Sequence, residues 1–247
     1  MFLEIAIGDA YGAGFEFCSR EKINKYNDLT AYVDHELGIK AGHYTDDTQM
    51  SIAVLDVILR LKDPLTIDFA NAFVAVYKRD VRQGYAKGLQ GLLEQSANGQ
   101  ELQRLIKPFS KRNGAAMRSV PLGLIADIDK LLKIAARQAS VTHDSEEGII
   151  SSQIVGLISH HLYYRLSSLN QLALIIKDKL DFDIELNWQK EVECDAIQTI
   201  NAVTTMLVRH RSLSTLLKDC INLGGDVDSV ASIALGLASL SVEYHQD

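Results

Sequence analysis

Apolar residues recur along most of this chain with the period of an α-helix. Met50, Val54, Val57, Ile58 and Leu61 fall on one helical face after Asp46-Asp47, and Phe69, Phe73, Val76 and Tyr77 repeat the spacing after Asp68. The pattern returns at Ile149, Ile154, Leu157, Ile158 and Leu162, and again at Ile197, Ile200, Val203, Thr204 and Leu207. Positions three and four apart share a helix face, so each run predicts a helix with one side turned to a core. The only prolines, Pro64, Pro108 and Pro121, sit near expected boundaries or first turns, where a missing N–H does least harm. Residues 30–33 are the one stretch with an extended character, and residues 174–193 follow no clean period. The expectation is an all-α, multi-helix bundle forming a single domain over residues 1–247.

One predicted helix differs from the rest. Residues 230–240, VASIALGLASL, are apolar nearly all round, which predicts burial on every side. Ala231, Ala234, Gly236 and Ala238 would let neighbouring helices approach it closely. Any acidic group at its start would therefore be carried towards the interior.

Composition narrows the function classes. The chain has 247 residues, 47% of them hydrophobic, enough for a sizeable core. A formal net charge of -7 argues against a nucleic-acid binder, which would carry a basic patch. Cys18, Cys194 and Cys220 are far apart and odd in number, matching neither a disulfide framework nor a CxxC metal spacing. The opening MFLEIAIGDAYG lacks a basic segment and is broken by Glu4, Gly8 and Asp9, so it does not read as a signal peptide. No run reaches the roughly 18 apolar residues of a membrane span. These features predict a cytoplasmic protein with no membrane partner.

Two acidic clusters stand where helices are expected to start. Thr45-Asp46-Asp47-Thr48 precedes the helix around Met50, and Gly224-Gly225-Asp226-Val227-Asp228-Ser229 precedes the apolar one. Helix capping accounts for one such side chain per helix, worth about 0.5–2 kcal/mol. It does not account for paired aspartates flanked by hydroxyls at both. Carboxylates crowded at the mouth of a buried helix repel and lose hydration unless a cation compensates. Four aspartates would neutralise two divalent ions, and all-oxygen donors favour magnesium or manganese over zinc. Two further patches stand out: the glycine-rich Gly8–Glu16 stretch, GDAYGAGFE, and the 113–123 stretch NGAAMRSVPLG. The latter reads as a loop whose amides either cradle a diphosphate or simply turn the chain.

In this order, GDAYGAGFE, YTDDTQMS, NGAAMRSVPLG, Val141-Thr142-His143 and NLGGDVDSVASIALG resemble the ADP-ribosylglycohydrolase superfamily from Gly8 to Gly236. The resemblance implies a compact all-α bundle with a binuclear metal site in a cleft. It implies a hydrolase of the glycosidic bond between ADP-ribose and an acceptor, either an ADP-ribosylated protein or a small ADP-ribosyl compound. It implies that Thr45, Asp46 and Asp47 form one metal half-site and Asp226, Asp228 and Ser229 the other, holding two Mg2+ or Mn2+ ions. Catalytic roles would fall to Glu16, Asp46, Asp47 and Asp228. Asn113, Gly114, Ala115, Met117 and His143 would contact the ADP-ribose, around its diphosphate or distal ribose. An arginine-type acceptor is slightly favoured by analogy with bacterial members.

The chain also departs from the family pattern. Ser229 replaces the usual threonine and so lacks the methyl that fixes the rotamer. Lys111-Arg112 stands where a glycine is usual, and the helix that normally precedes GDAYG is expected to be short. Residues 78–85, KRDVRQGY, combine basic and aromatic groups suited to an acceptor or to adenine, but a basic helix end followed by a turn glycine explains them better. His160 and His161 cannot present both rings to one metal and read as surface or boundary residues. Two other functions remain open from residues alone: a catalytically silent ADP-ribose-binding module, and a binuclear-metal phosphohydrolase.

Overall fold

A computed structural model describes residues 1–36, 38–245 and 247. Thirteen α-helices occur among the described residues: Phe2–Ala13 (α1), Arg20–Tyr26 (α2), Asp46–Arg60 (α3), Thr66–Arg79 (α4), Lys87–Gln95 (α5), Gly99–Leu105 (α6), Gly114–Met117 (α7), Ile128–Ala139 (α8), Glu146–Tyr163 (α9), Leu172–Leu180 (α10), Ala196–Arg209 (α11), Leu213–Leu223 (α12) and Val227–Ala238 (α13). Strand pairing among them is confined to isolated bridges, so the molecule is all-α, as the periodicity predicts. Residues 30–33 form no strand. None of the described helices is long and apolar enough to cross a membrane.

Many helices begin where a short polar side chain satisfies free N–H groups of the first turn. Ser19, Asn98, Asp127, Ser145 and Ser212 each accept from the third residue of their helices, and Asp195 accepts from Ile197 and Gln198. The helices starting at α3 and α13 depart from this habit: neither Thr45 nor Asp226 caps its own helix. Their side chains are engaged elsewhere, Thr45 with Asp9 and Asp226 with Asn113.

The centre of the bundle is α13. All twelve of its residues are buried, and it packs against α1, α11, α12, α3, α7 and α9. Its closest partner is α1, and glycines set the approach. A Cβ on Gly8 would lie 2.5 Å from the Ala231 carbonyl oxygen, and one on Gly12 would lie 2.4 Å from the Asp228 Cα. On the opposing helix, a Cβ on Gly236 would meet Ile5 at 2.6 Å. Backbones this near admit no side chain between them. Burying the branched residues of α13 contributes about 1.5–3 kcal/mol each, which anchors everything mounted on its first turn.

Some local expectations needed correcting. The helices containing Met50 and Val230 start earlier, at Asp46 and Val227, so both acidic clusters lie within first turns. Residues 113–123 are two short helical turns, α7 and the 3-10 turn Val120–Leu124, not a loop. His160 is buried, with Nδ1 2.9 Å from the Ile125 carbonyl oxygen, because α9 runs through the core and has no solvent face at that position. Tyr85 is also buried and donates to Gln49 Oε1 at 2.7 Å, so its ring is not free to stack on adenine. Lys111 and Arg112 are exposed, and Lys111 pairs with Glu147 at 2.8 Å; the bulk that replaces the usual glycine points to solvent.

Candidate active site

The first turn of α3 is capped from another helix. Asp9, fully buried on α1, accepts from Thr45 N–H at 2.9 Å, Thr45 Oγ1 at 2.7 Å, Thr48 N–H at 3.0 Å and Thr48 Oγ1 at 2.5 Å. One carboxylate thus takes the place of the missing local cap and complements the positive end of α3. Its own carboxyl is pushed up by burial, against the opposing pull of the Thr48 and Thr45 hydrogen bonds. Asp9 is not among the site residues that the sequence points to. The available signal is that a lone carboxylate inside an apolar, glycine-rich helix has to find partners.

The second cluster is fixed from the turn before α13. Gly224 and Gly225 have φ of +81° and +85°, a left-handed backbone that favours glycine. Asp226 N–H then bonds the Val192 carbonyl at 2.7 Å, and Phe17 N–H bonds the Gly225 carbonyl at 2.8 Å. The latter bond brings the turn carrying Glu16 beside Asp226. Asn113 donates to Asp226 Oδ2 at 2.8 Å and to Thr199 Oγ1 at 3.0 Å, holding that carboxylate from the third side.

Both clusters converge. Ser232 Oγ donates to Asp47 Oδ1 at 2.8 Å, and Ser229 Oγ lies 3.5 Å from Asp47 Oδ2. Oxygen atoms of Glu16, Asp226 and Asp228 all lie within 4.8 Å of one another. Thr45, Asp47, Asp226, Asp228 and Ser229 are at most 5% exposed, while Asp46 is half-buried. The 80–86 segment passes over Asp46, where a Cβ on Gly84 would meet Asp46 Oδ1 at 2.3 Å.

Burial and mutual repulsion raise the carboxyl values of Glu16, Asp46, Asp47 and Asp228. Burial, followed by the charges of Asp226 and Asp9, pushes Glu16 up to about 7. Burial and then Asp9 push Asp46 and Asp47 well above the ordinary carboxylate range, and burial and then Glu16 do the same to Asp228. His35 Nε2 lies 3.1 Å from Glu16 Oε2. Asp228 Oδ1 is buried with no hydrogen-bond partner. This donor set fits a divalent cation: hard oxygens only, one orphaned carboxylate oxygen, and excess negative charge.

The residues expected around the ADP-ribose divide into two groups. Gly114 is half-buried and lies against the edge of the His143 ring, where a Cβ would meet Cε1 at 2.7 Å. Ala115 is fully buried, Met117 is 5% exposed and Asn113 is committed to Asp226 and Thr199. The structure therefore places Gly114 and His143 together, with Asn113 behind Asp226 and with Ala115 and Met117 packed inside.

Comparison with known proteins supplies the remaining information. The profile of the family described as ADP-ribosylglycohydrolase matches residues 5–245. The chain is 26% identical over 254 residues to the ADP-ribosyl-[dinitrogen reductase] glycohydrolase of Rhodospirillum rubrum, covering 96% of this chain and 82% of that protein. It is 24% identical over 257 residues to the ADP-ribosylarginine hydrolase Tri1 of Pseudomonas putida (strain GB-1), covering 96% and 68%. A solved structure named as an ADP-ribosylglycohydrolase-related protein complex shares the fold, with a TM-score of 0.76 at 23% identity, covering 98% of this chain and 85% of that one. With its all-α bundle and converging acidic turns, the chain belongs to the ADP-ribosylglycohydrolase family.

Proposed function

We propose that this protein hydrolyses the glycosidic bond between ADP-ribose and an acceptor with the help of two Mg2+ or Mn2+ ions held between α3 and α13. The observation that carries this reading is the meeting of two acidic first turns far apart in sequence, with Ser232 on Asp47 and with Glu16, Asp226 and Asp228 within 4.8 Å of one another. Thr45, Asp46 and Asp47 would hold the ions from one side and Asp226, Asp228 and Ser229 from the other. When bound, such ions supply charge neutralisation and a more acidic water at neutral pH.

The protein's own groups account for the rest. Cleavage at the anomeric carbon builds positive charge on the ribose ring, and the surrounding carboxylates stabilise it. One of Asp46, Asp47 or Asp228 orients or deprotonates the attacking water. Glu16, whose carboxyl is pushed up to about 7, holds or releases a proton near neutral pH as that bond breaks. Asp9 acts from behind by fixing Thr45 and Thr48, and Asn113 fixes Asp226. Gly114 and His143 line the ADP-ribose side of the cleft.

The acceptor is an ADP-ribosylated protein side chain or a small ADP-ribosyl compound in a cytoplasmic setting. An arginine-type linkage is favoured because a relative covering nearly the whole chain is named for ADP-ribosylarginine. The test is ADP-ribose release from arginine-, serine- and acetyl-linked substrates with magnesium, manganese or chelator. Metal-dependent release from the arginine conjugate is expected. Metal-dependent ADP-ribose binding with no release from any substrate would replace this reading with that of a binding module.

A further inference from the structure

Arg118, on the turn after α7, is a fully buried guanidinium. Its Nε donates to Gln138 Oε1 at 2.6 Å, and its Nη2 donates to the Gln138 carbonyl at 3.0 Å and to Thr142 Oγ1 at 2.8 Å. Its Cζ sits 4.5 Å from the centre of the Phe73 ring. None of these groups belongs to the acidic cluster. The chain of contacts ends at His143, whose Nδ1 is 2.6 Å from Thr142 Oγ1.

The direction of that last bond follows from donor counting. Arginine only donates, so the Thr142 oxygen is an acceptor towards Arg118. A hydroxyl has one proton, and the His143 Nδ1 is the only described partner left to receive it. The reverse assignment, Nδ1–H donating to Thr142, would strand the hydroxyl proton beside a guanidinium in a buried place, at the cost of an unmade hydrogen bond. Thr142 therefore donates to Nδ1, and the imidazole proton sits on Nε2. Among the described residues Nε2 has no hydrogen-bond partner; it faces Gly114, where a Cβ would approach it to 3.0 Å. Burial, followed by the charges of Arg118 and Arg112, holds the ring neutral down to about 3.

We infer that Arg118 is a positioning residue: through Thr142 it fixes His143 as the neutral Nε2–H tautomer, so that His143 meets ADP-ribose as a hydrogen-bond donor to an oxygen of the ligand. The ligand half of this statement rests on the proposed function; the tautomer half does not. A donor locked in this way cannot turn into an acceptor, so it selects a phosphate or ribose oxygen over a donor group in the same position. Because the ring stays neutral, that selection is independent of pH across the neutral range.

The test is nitrogen NMR on the 15N-histidine-labelled full chain, with a His143→Gln spectrum to assign the signal. The expected result is an unprotonated Nδ1 and a protonated Nε2 in wild-type protein, unchanged down to about pH 5, below the ordinary imidazole value of about 6.5. Thr142→Val keeps the side-chain shape and should release the tautomer into a mixture. It should also weaken ADP-ribose binding by about threefold to tenfold, raising KM with kcat little changed. Thr142→Ser should restore both. An Nδ1–H or a cationic His143 in the wild type overturns the inference, as does a Thr142→Val spectrum identical to wild type. Absence of ADP-ribose binding by wild-type protein that shows the expected tautomer would overturn the proposed function and leave the relay intact.

Discussion

At the scale of single residues, two neighbouring aspartates with opposite roles, buried Asp9 and half-buried Asp46, separate stability from activity. Asp9 accepts from the N–H and hydroxyl groups of Thr45 and Thr48, so Asp9→Asn turns an amide N–H towards donors it cannot bond. The expected loss is about 2–3 kcal/mol, read by urea unfolding, since hydrogen bonds to a charged group contribute about 1.5–3 kcal/mol each. Asp46 instead suffers burial and the nearby charge of Asp9. Asp46→Asn removes that repulsion and should leave the metal-free protein at least as stable as wild type, while turnover in the ADP-ribose release assay disappears. Full activity in that variant would end the case for the first half-site. The two acidic clusters were legible because paired aspartates flanked by hydroxyls exceed what capping requires. Asp9 was not, because its partners lie on a different helix and a single Asp beside glycine resembles a turn. Arg118 was hidden for a related reason: in sequence it is one more basic residue, and only the fold places it wholly inside the protein.

At the scale of helices, glycine acts as a spacing device where α1 crosses α13. Alanine is normally worth about 0.8–1.0 kcal/mol over glycine in a helix. At Gly12 that gain meets a Cβ contact of 2.4 Å with the Asp228 backbone, which forces the helices apart and costs more than it gives. Gly12→Ala should therefore lower the melting temperature and displace Asp228, weakening activity as well. Gly91→Ala, on α5 with nothing within 4 Å of the added methyl, should raise stability by about 0.5–1 kcal/mol. A stabilised Gly12→Ala would show that the two helices are not so tightly apposed. The helix centres were readable from periodicity, and α13 stood out as apolar on every face. Helix starts were read late at Asp46 and Val227, because their polar first turns carry no apolar repeat. The buried position of His160 also depends on which segment covers α9, namely the chain around Ile125, and a helical period does not specify that.

For the whole molecule, the acidic centre ties stability to pH and to metal. Glu16, Asp46, Asp47 and Asp228 hold protons more firmly when folded than the ordinary carboxylate does. A group with a raised folded value stabilises the fold fully below its unfolded value and loses that contribution as pH rises through the folded one. Chelator-treated protein should thus melt at lower temperature as pH rises from about 5 to about 8. Mg2+ or Mn2+ should restore the melting temperature more at the higher pH, where the carboxylates are charged; a larger effect at the lower pH would contradict a carboxylate site. His143 works in the other direction. Held neutral down to about 3, it favours the fold above the ordinary imidazole value of about 6.5 and loses that contribution in acid. The pairing of α1 with α13 has a further consequence, in the order of synthesis. The ribosome makes α1 well before α13, so the face of α1 that packs on α13 must wait, exposed or held by a chaperone, until the intervening helices have been made. Contacts between such distant segments also close slowly. The two acidic turns can therefore meet only after α13 has been made.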